Sequence, residues 1–227
     1  MLIRTIVAAL LAFSIALTGA APGHAQSGNR GGSLPLIRDA EIESLMRLYT
    51  RPIFKAAGIN PKSVRVFLID DPRINAFVAG GQRIFIHTGL LTQSKTPNEV
   101  IGVLAHETGH IAGGHLARLG NELDRASVTS IVGMLLGAAA MVGGAAAGDA
   151  NAARAGQGVM IGSQGLAQRN LFSYQRSMEA SADQAALKYL TATGQSARGM
   201  LTLFDKLANQ SIASLQHADP YVMSHPM

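Results

Sequence analysis

The chain has 227 residues, a formal net charge of +5 and no cysteine. That excludes a disulfide-stapled scaffold, a thiolate metal site and a lipid-modified cysteine at an export cleavage site. The basic residues are scattered, without the clustered stripe and interleaved aromatics of a nucleic-acid surface, so no nucleic-acid partner is expected. Met1 to Arg4 is a short basic start, Thr5 to Leu17 an apolar run, and Gly23-His24-Ala25 a small-x-small cleavage signal. We read residues 1–25 as a secretory signal peptide, with an uncleaved anchor as the alternative. Residues 26–36 are a flexible leader, rich in Gly, Ser and Asn at its start. Residues 37–227 remain for one domain with a real core.

Arg38 to Tyr49 has helical periodicity and is predicted to end before Pro52. Val64 to Ile69 reads as a strand stopped by Asp70-Asp71-Pro72. Asn75 to Ala79 and Arg83 to Thr88 read as two strands of a hairpin joined through Gly80-Gly81. A helix follows, announced by Thr96-Pro97-Asn98-Glu99, which has the form of a capping box with proline at the first helical position. Inside it lies His106-Glu107-Thr108-Gly109-His110. Two imidazoles four residues apart sit about 40° apart on one helical face, with a carboxylate beside the first. This is the arrangement by which a zinc ion and a general base activate water. Gly109 lacks a side chain at a propensity cost near 1 kcal/mol, so close packing is expected there.

Ser127 to Gly148 carries no charged residue and contains Gly133-x-x-x-Gly137 and Gly144-x-x-x-Gly148. The small-residue spacing allows close helix approach. We expect a close-packed helical hairpin over about residues 127–167, turning at Asp149 to Arg154. A membrane-inserted or surface-lying segment, with peripheral membrane contact, is the alternative, and a mobile loop the third. Tyr174 to Leu190 is predicted as a second strong helix, and a third begins at Ser196 or Ala197 and runs to about Asn209.

Catalytic zinc usually takes three protein ligands. A histidine on a tight extension after the motif is one source, but its slot holds Leu116. His115 would lie about 140° around from His110 if the helix continued, on the wrong face. A carboxylate from a later helix is the other source. Glu179 and Asp183 share a helical face in Glu179-Ala180-Ser181-Ala182-Asp183. The pair suits one ligand carboxylate and one that accepts the free ring N–H of a metal-bound histidine.

The two segments together resemble the gluzincin metallopeptidases related to HtpX and to the CAAX prenyl-protein endoprotease, nearest to their soluble periplasmic branch. Asn75-Ala76-Phe77 with Gly80-Gly81, and Thr88-Gly89-Leu90-Leu91, are part of the likeness. The resemblance implies an α+β, mainly helical zincin-type domain with a small sheet or hairpin before the zinc helix. It implies one zinc per chain on His106, His110 and Glu179, Glu107 as general base, and Asp183 bonded to a ligand histidine. It also implies a periplasmic, outer-membrane-associated endopeptidase acting on unfolded or misassembled envelope proteins, in contact with outer-membrane assembly machinery. Gln184 departs from the arginine that relatives often carry. Many relatives also continue past the position of Met227 into a helical repeat region. A short form and a truncated sequence both fit that difference.

Tyr221, His217 and Arg176 are candidates for the transition-state donor. His225, held by Pro226, could reach the metal and displace water, although a plain tail histidine reads the same way. Substrate is expected to pair with an edge strand, taken as Arg83 to Thr88. A non-enzymatic docking or chaperone protein for outer-membrane protein assembly is the alternative function.

Overall fold

Short strands between Leu36 and His87 are interrupted by one helix, and from Thr88 onward the described elements are all helices. The computed structural model describes residues 34–213 and residue 225. The expected signal peptide, residues 1–25, lies outside the described residues, as do His217 and Tyr221. Strand β1 is Leu36–Ile37, β2 Arg65–Ile69, β3 Ala76–Ala79 and β4 Arg83–His87. The sheet order is β1-β2-β4-β3. β1 is antiparallel to β2, β2 parallel to β4, and β3 antiparallel to β4. The β3–β4 hairpin forms as its glycines suggest, with φ of 56° at Gly80 and 91° at Gly81. Pairing of Leu36 with Ile69 starts the sheet one residue inside the expected leader.

The helices are α1 Ala40–Ala56, α2 Thr88–Gln93, α3 Pro97–Gly113, α4 His115–Ala146, α5 Ala150–Ala192 and α6 Arg198–Ala213. The fold is thus α+β and mainly helical, with the small sheet preceding the histidine helix. Asp39 caps α1 by accepting from Glu41 N and Ile42 N, each at 2.9 Å. The helix runs through Pro52 instead of stopping before it. Proline removes one backbone bond, but Ile53 and Phe54 of the next turn are buried in the core. Each such side chain gains about 1.5–3 kcal/mol from burial, enough to hold that turn.

Helix α3 is the centre of the core. Residues Glu99 to Gly109 are buried without interruption, against Ile53 and Phe54 of α1, Leu190 of α5, and Leu203 and Leu207 of α6. Its start is only half of a capping box. Glu99 Oε2 accepts from Lys95 N at 3.0 Å, while the Thr96 side chain makes no capping bond. The end of α3 is set by Gly114, in the left-handed region at φ 61°. The return helix and the Tyr174–Leu190 helix form one continuous α5, since no proline or glycine interrupts the sequence from Leu166 to Thr193.

Candidate metal centre

Two helices bring the chemistry together. Gly109 of α3 is where they touch: a Cβ there would stand 2.8 Å from the Ala182 carbonyl oxygen and 3.0 Å from its Cα. The close approach expected of Gly109 is therefore made by α5. It places Glu179 and Asp183, on either side of Ala182, against His106 and His110. His106 Nδ1–H donates to Asp183 Oδ1 at 2.8 Å, because an ionised carboxylate only accepts. This leaves Nε2 turned toward His110 Nε2 at 3.0 Å and Glu179 Oε2 at 3.2 Å. His110 Nε2 lies 3.5 Å from the same carboxylate oxygen. His225 joins the group, its Nδ1 3.3 Å from His106 Nε2 and 3.0 Å from Glu179 Oε2.

One donor atom from each of His106, His110, Glu179 and His225 thus lies within 4.8 Å of the other three. Donors around a tetrahedral zinc at about 2.0–2.1 Å are spaced by about 3.3 Å along the tetrahedron edge. The spacings of 3.0 to 3.5 Å bracket that value, so the donor set fits such an ion in number, type and separation. A second observation agrees. Glu107 is fully buried, and both its carboxylate oxygens are without a hydrogen-bond partner among the described residues. The nearest basic group is His225 Nε2 at 3.4 Å. A buried carboxylate in that condition is costly unless its oxygens face a ligand or reactant.

The charges are tuned accordingly. Burial opposes protonation of His106, but Asp183, Glu179 and Glu107 outweigh it and raise its pKa to about 9 in the metal-free chain. Burial would raise Glu179, yet bonds from His106, His110 and His225 hold it well below the usual carboxylate range. A metal entering here displaces protons from imidazole, as ligand binding requires.

The cleft beside these residues has a volume of ≈ 170 Å³ and is lined by Phe77, Val78, Glu107, His110, Leu116 and Met178, among others. A larger groove of ≈ 1070 Å³ lies between α1 and β2, and no histidine lines it. Arg176 is exposed and is not among the cleft residues, where Gln175 stands instead. Its geometry gives no support to a transition-state role.

His115 is buried, with Nδ1 3.1 Å from His110 Nδ1. It packs on His110 of the candidate donor set, a contact the helical wheel did not foresee. The wheel assumed a continuous helix, whereas the left-handed turn at Gly114 starts a new one. Burial, then the neighbouring His110, lowers the His115 pKa to about 4.

Comparison with known proteins places this geometry in a family. The description "Peptidase family M48" matches residues 37–227. This chain belongs to peptidase family M48. A metalloprotease assignment therefore rests on the family as well as on the donor set. Among curated M48-like relatives, the beta-barrel assembly-enhancing protease of Yersinia pestis is 28% identical over 199 residues, covering 86% of this chain and 38% of the relative. The protein of that name from Escherichia coli (strain K12) is 25% identical over 196 residues, with the same shares of 86% and 38%. Metalloprotease LoiP of Escherichia coli (strain K12) is 31% identical over 176 residues, covering 76% of this chain and 62% of LoiP. The chain thus spans 38% of the length of the first two relatives.

Proposed function

We propose that this M48 chain is a zinc-dependent endopeptidase of the bacterial cell envelope that cleaves unfolded or unassembled envelope proteins. The observation that carries the reading is the meeting of His106, His110 and Glu179 donor atoms beside the orphaned carboxylate of Glu107. Bound there, zinc would supply Lewis acidity toward water and toward a peptide carbonyl. Glu107 takes the proton from the attacking water and returns it to the leaving amine. Asp183 fixes the His106 tautomer by accepting from Nδ1. The periplasmic setting rests on the basic and apolar start of the sequence and its Gly23-His24-Ala25 signal. The names of two relatives connect them with β-barrel assembly. By that likeness the outer-membrane assembly machinery is the proposed partner.

Substrate pairing moves to a different strand from the one expected. β4 is bonded on both sides, to β2 and β3, so Arg83 to Thr88 has no free edge. Of the two edge strands, β1 and β3, it is β3 whose Phe77 and Val78 line the cleft. An extended chain pairing with β3 would meet the site through main-chain bonds, which are indifferent to side-chain identity. His225 now stands in that path, with Nε2 3.2 Å from Ala76 O. We read it as a reversible stopper that completes the metal's donor set until substrate displaces it.

The test is metal content measured beside cleavage of an unfolded substrate. Wild type should hold about one zinc per chain. Glu107→Gln should keep the zinc and lose cleavage by about 10²–10⁴-fold. Cleavage that survives in Glu107→Gln would refute the assignment. Full biological function with no cleavage would favour the non-enzymatic docking reading.

A further inference from the structure

The α4–α5 hairpin is packed with its small residues inside and its large ones outside. After His115, the buried residues of α4 are Gly133, Gly137 and Gly144. Gly133 lies on Ser163, Gly137 on Gly156 and Met160, and Gly144 on Ala152 and Ala153, all of α5. The glycine stripe is thereby spent on the partner helix. What α4 turns outward is Val128, Ile131, Val132, Leu135, Leu136 and Val142, with Leu135, Leu136 and Val142 exposed at 67%, 62% and 71%. A core helix of the same composition would have these side chains covered; here only 17% of the most apolar window is buried. Hydrophobic burial within the chain does not account for this face.

The chemistry of the face selects its occupant. From Ser127 to Gly148 there is no charge and no aromatic residue. Interfaces between proteins set aromatic and arginine anchors inside a polar rim, and neither is present along this stretch. An uncharged surface about 33 Å long, apolar apart from Ser127, Thr129 and Ser130 at its start, is what acyl chains accept. The other helix decides between spanning and lying. On α5, Arg154, Gln157, Gln164 and Gln168 recur at helical spacing on one face and are all exposed, with Ile161 the one large apolar side chain among them. Hydrocarbon would leave those groups unsatisfied, so that flank stays in water. The second exposed flank of α5 presents Val159 and Leu166.

We infer that the hairpin seats on a lipid bilayer surface, α4 and the Val159–Leu166 flank sunk among the acyl chains of one leaflet and the Arg154–Gln168 stripe facing water. The site would then work beside the membrane. This holds whether or not the cleft cleaves peptides.

The chain contains no tryptophan, so one introduced tryptophan reports one position. Full-length Leu135→Trp and Gln164→Trp are mixed with phosphatidylethanolamine–phosphatidylglycerol vesicles, plain or brominated on the acyl chains. Leu135→Trp emission should shift to shorter wavelength and be quenched by the brominated lipid, and Gln164→Trp should do neither. Leu135→Lys/Leu136→Lys/Val142→Lys, placed in the Val159→Trp chain, should abolish quenching of that tryptophan by at least about tenfold while the thermal melt stays unchanged. The inference is overturned if Leu135→Trp is not quenched, if both positions are quenched equally, or if the triple lysine variant is quenched like its parent. A blue shift that appears without vesicles and grows with protein concentration would overturn it in favour of a second copy of the chain.

Discussion

Adding one methyl group at Gly109 tests the contact on which the metal centre is built. The new Cβ would stand 2.8 Å from the Ala182 carbonyl oxygen and 3.0 Å from its Cα. Unstrained contacts lie near 3.5 Å or more, so α3 and α5 must part by about 0.5 Å. Overpacking of this kind costs about 1–3 kcal/mol, and the better helix propensity of alanine returns about 1 kcal/mol. The net change is about 0–2 kcal/mol of destabilisation, a fall of up to several degrees in melting temperature. The larger effect is on the ligand. Glu179 sits one turn before Ala182, and metal–ligand distances tolerate only about 0.2 Å. Zinc affinity of Gly109→Ala, measured by competition with a chromophoric chelator, should fall by at least about tenfold. If α3 and α5 did not touch here, Gly109→Ala would act as an ordinary helix substitution. It would raise the melting temperature and leave zinc affinity unchanged, and that result would refute the reasoning.

Asp183→Ala removes the acceptor that orients His106. Zinc affinity should drop about 10–100-fold, while saturating zinc restores most cleavage; an unaltered chelator titration would count against the role. His225→Ala frees the β3 edge at Ala76. Initial rates of unfolded-substrate cleavage should rise with zinc stoichiometry unchanged, and equal rates would remove the stopper. The metal-free chain carries a pH signature from His106, whose pKa is raised to about 9. A raised imidazole stabilises fully below about pH 6.5 and loses that contribution as pH climbs toward 9. Stripped protein should therefore lose melting temperature across that window and zinc-loaded protein should not, whereas parallel curves would show that zinc does not occupy His106.

The candidate metal centre was legible in the sequence because its residues come in local pairs. His106 with His110, and Glu179 with Asp183, each lie one helical turn apart, so periodicity alone put each pair on one face. Gly109 and Ala182 announced the crossing by their small size. What was not legible depends on nonlocal or backbone choices. Strand order decides that β4 is central and β3 the edge, and nothing in Arg83 to Thr88 encodes which neighbour pairs with it. His115 was set aside as a ligand and stays outside the four-donor cluster, but its packing on His110 was not legible because the left-handed conformation at Gly114 resets the helix phase. Pro52 was taken as a stop because the burial of Ile53 and Phe54 is a tertiary effect. The glycine spacing announced close packing, and Gly133, Gly137 and Gly144 do face α5; that the leucines opposite would stay uncovered was not visible.

The central claim is that His106, His110 and Glu179 hold one metal ion. X-ray absorption at the zinc edge of the loaded chain tests it most directly. The spectrum should show nitrogen and oxygen donors only, at about 2.0–2.1 Å with imidazole scattering, and should change in Glu179→Ala. An oxygen-only environment, or a spectrum identical in Glu179→Ala, would contradict it.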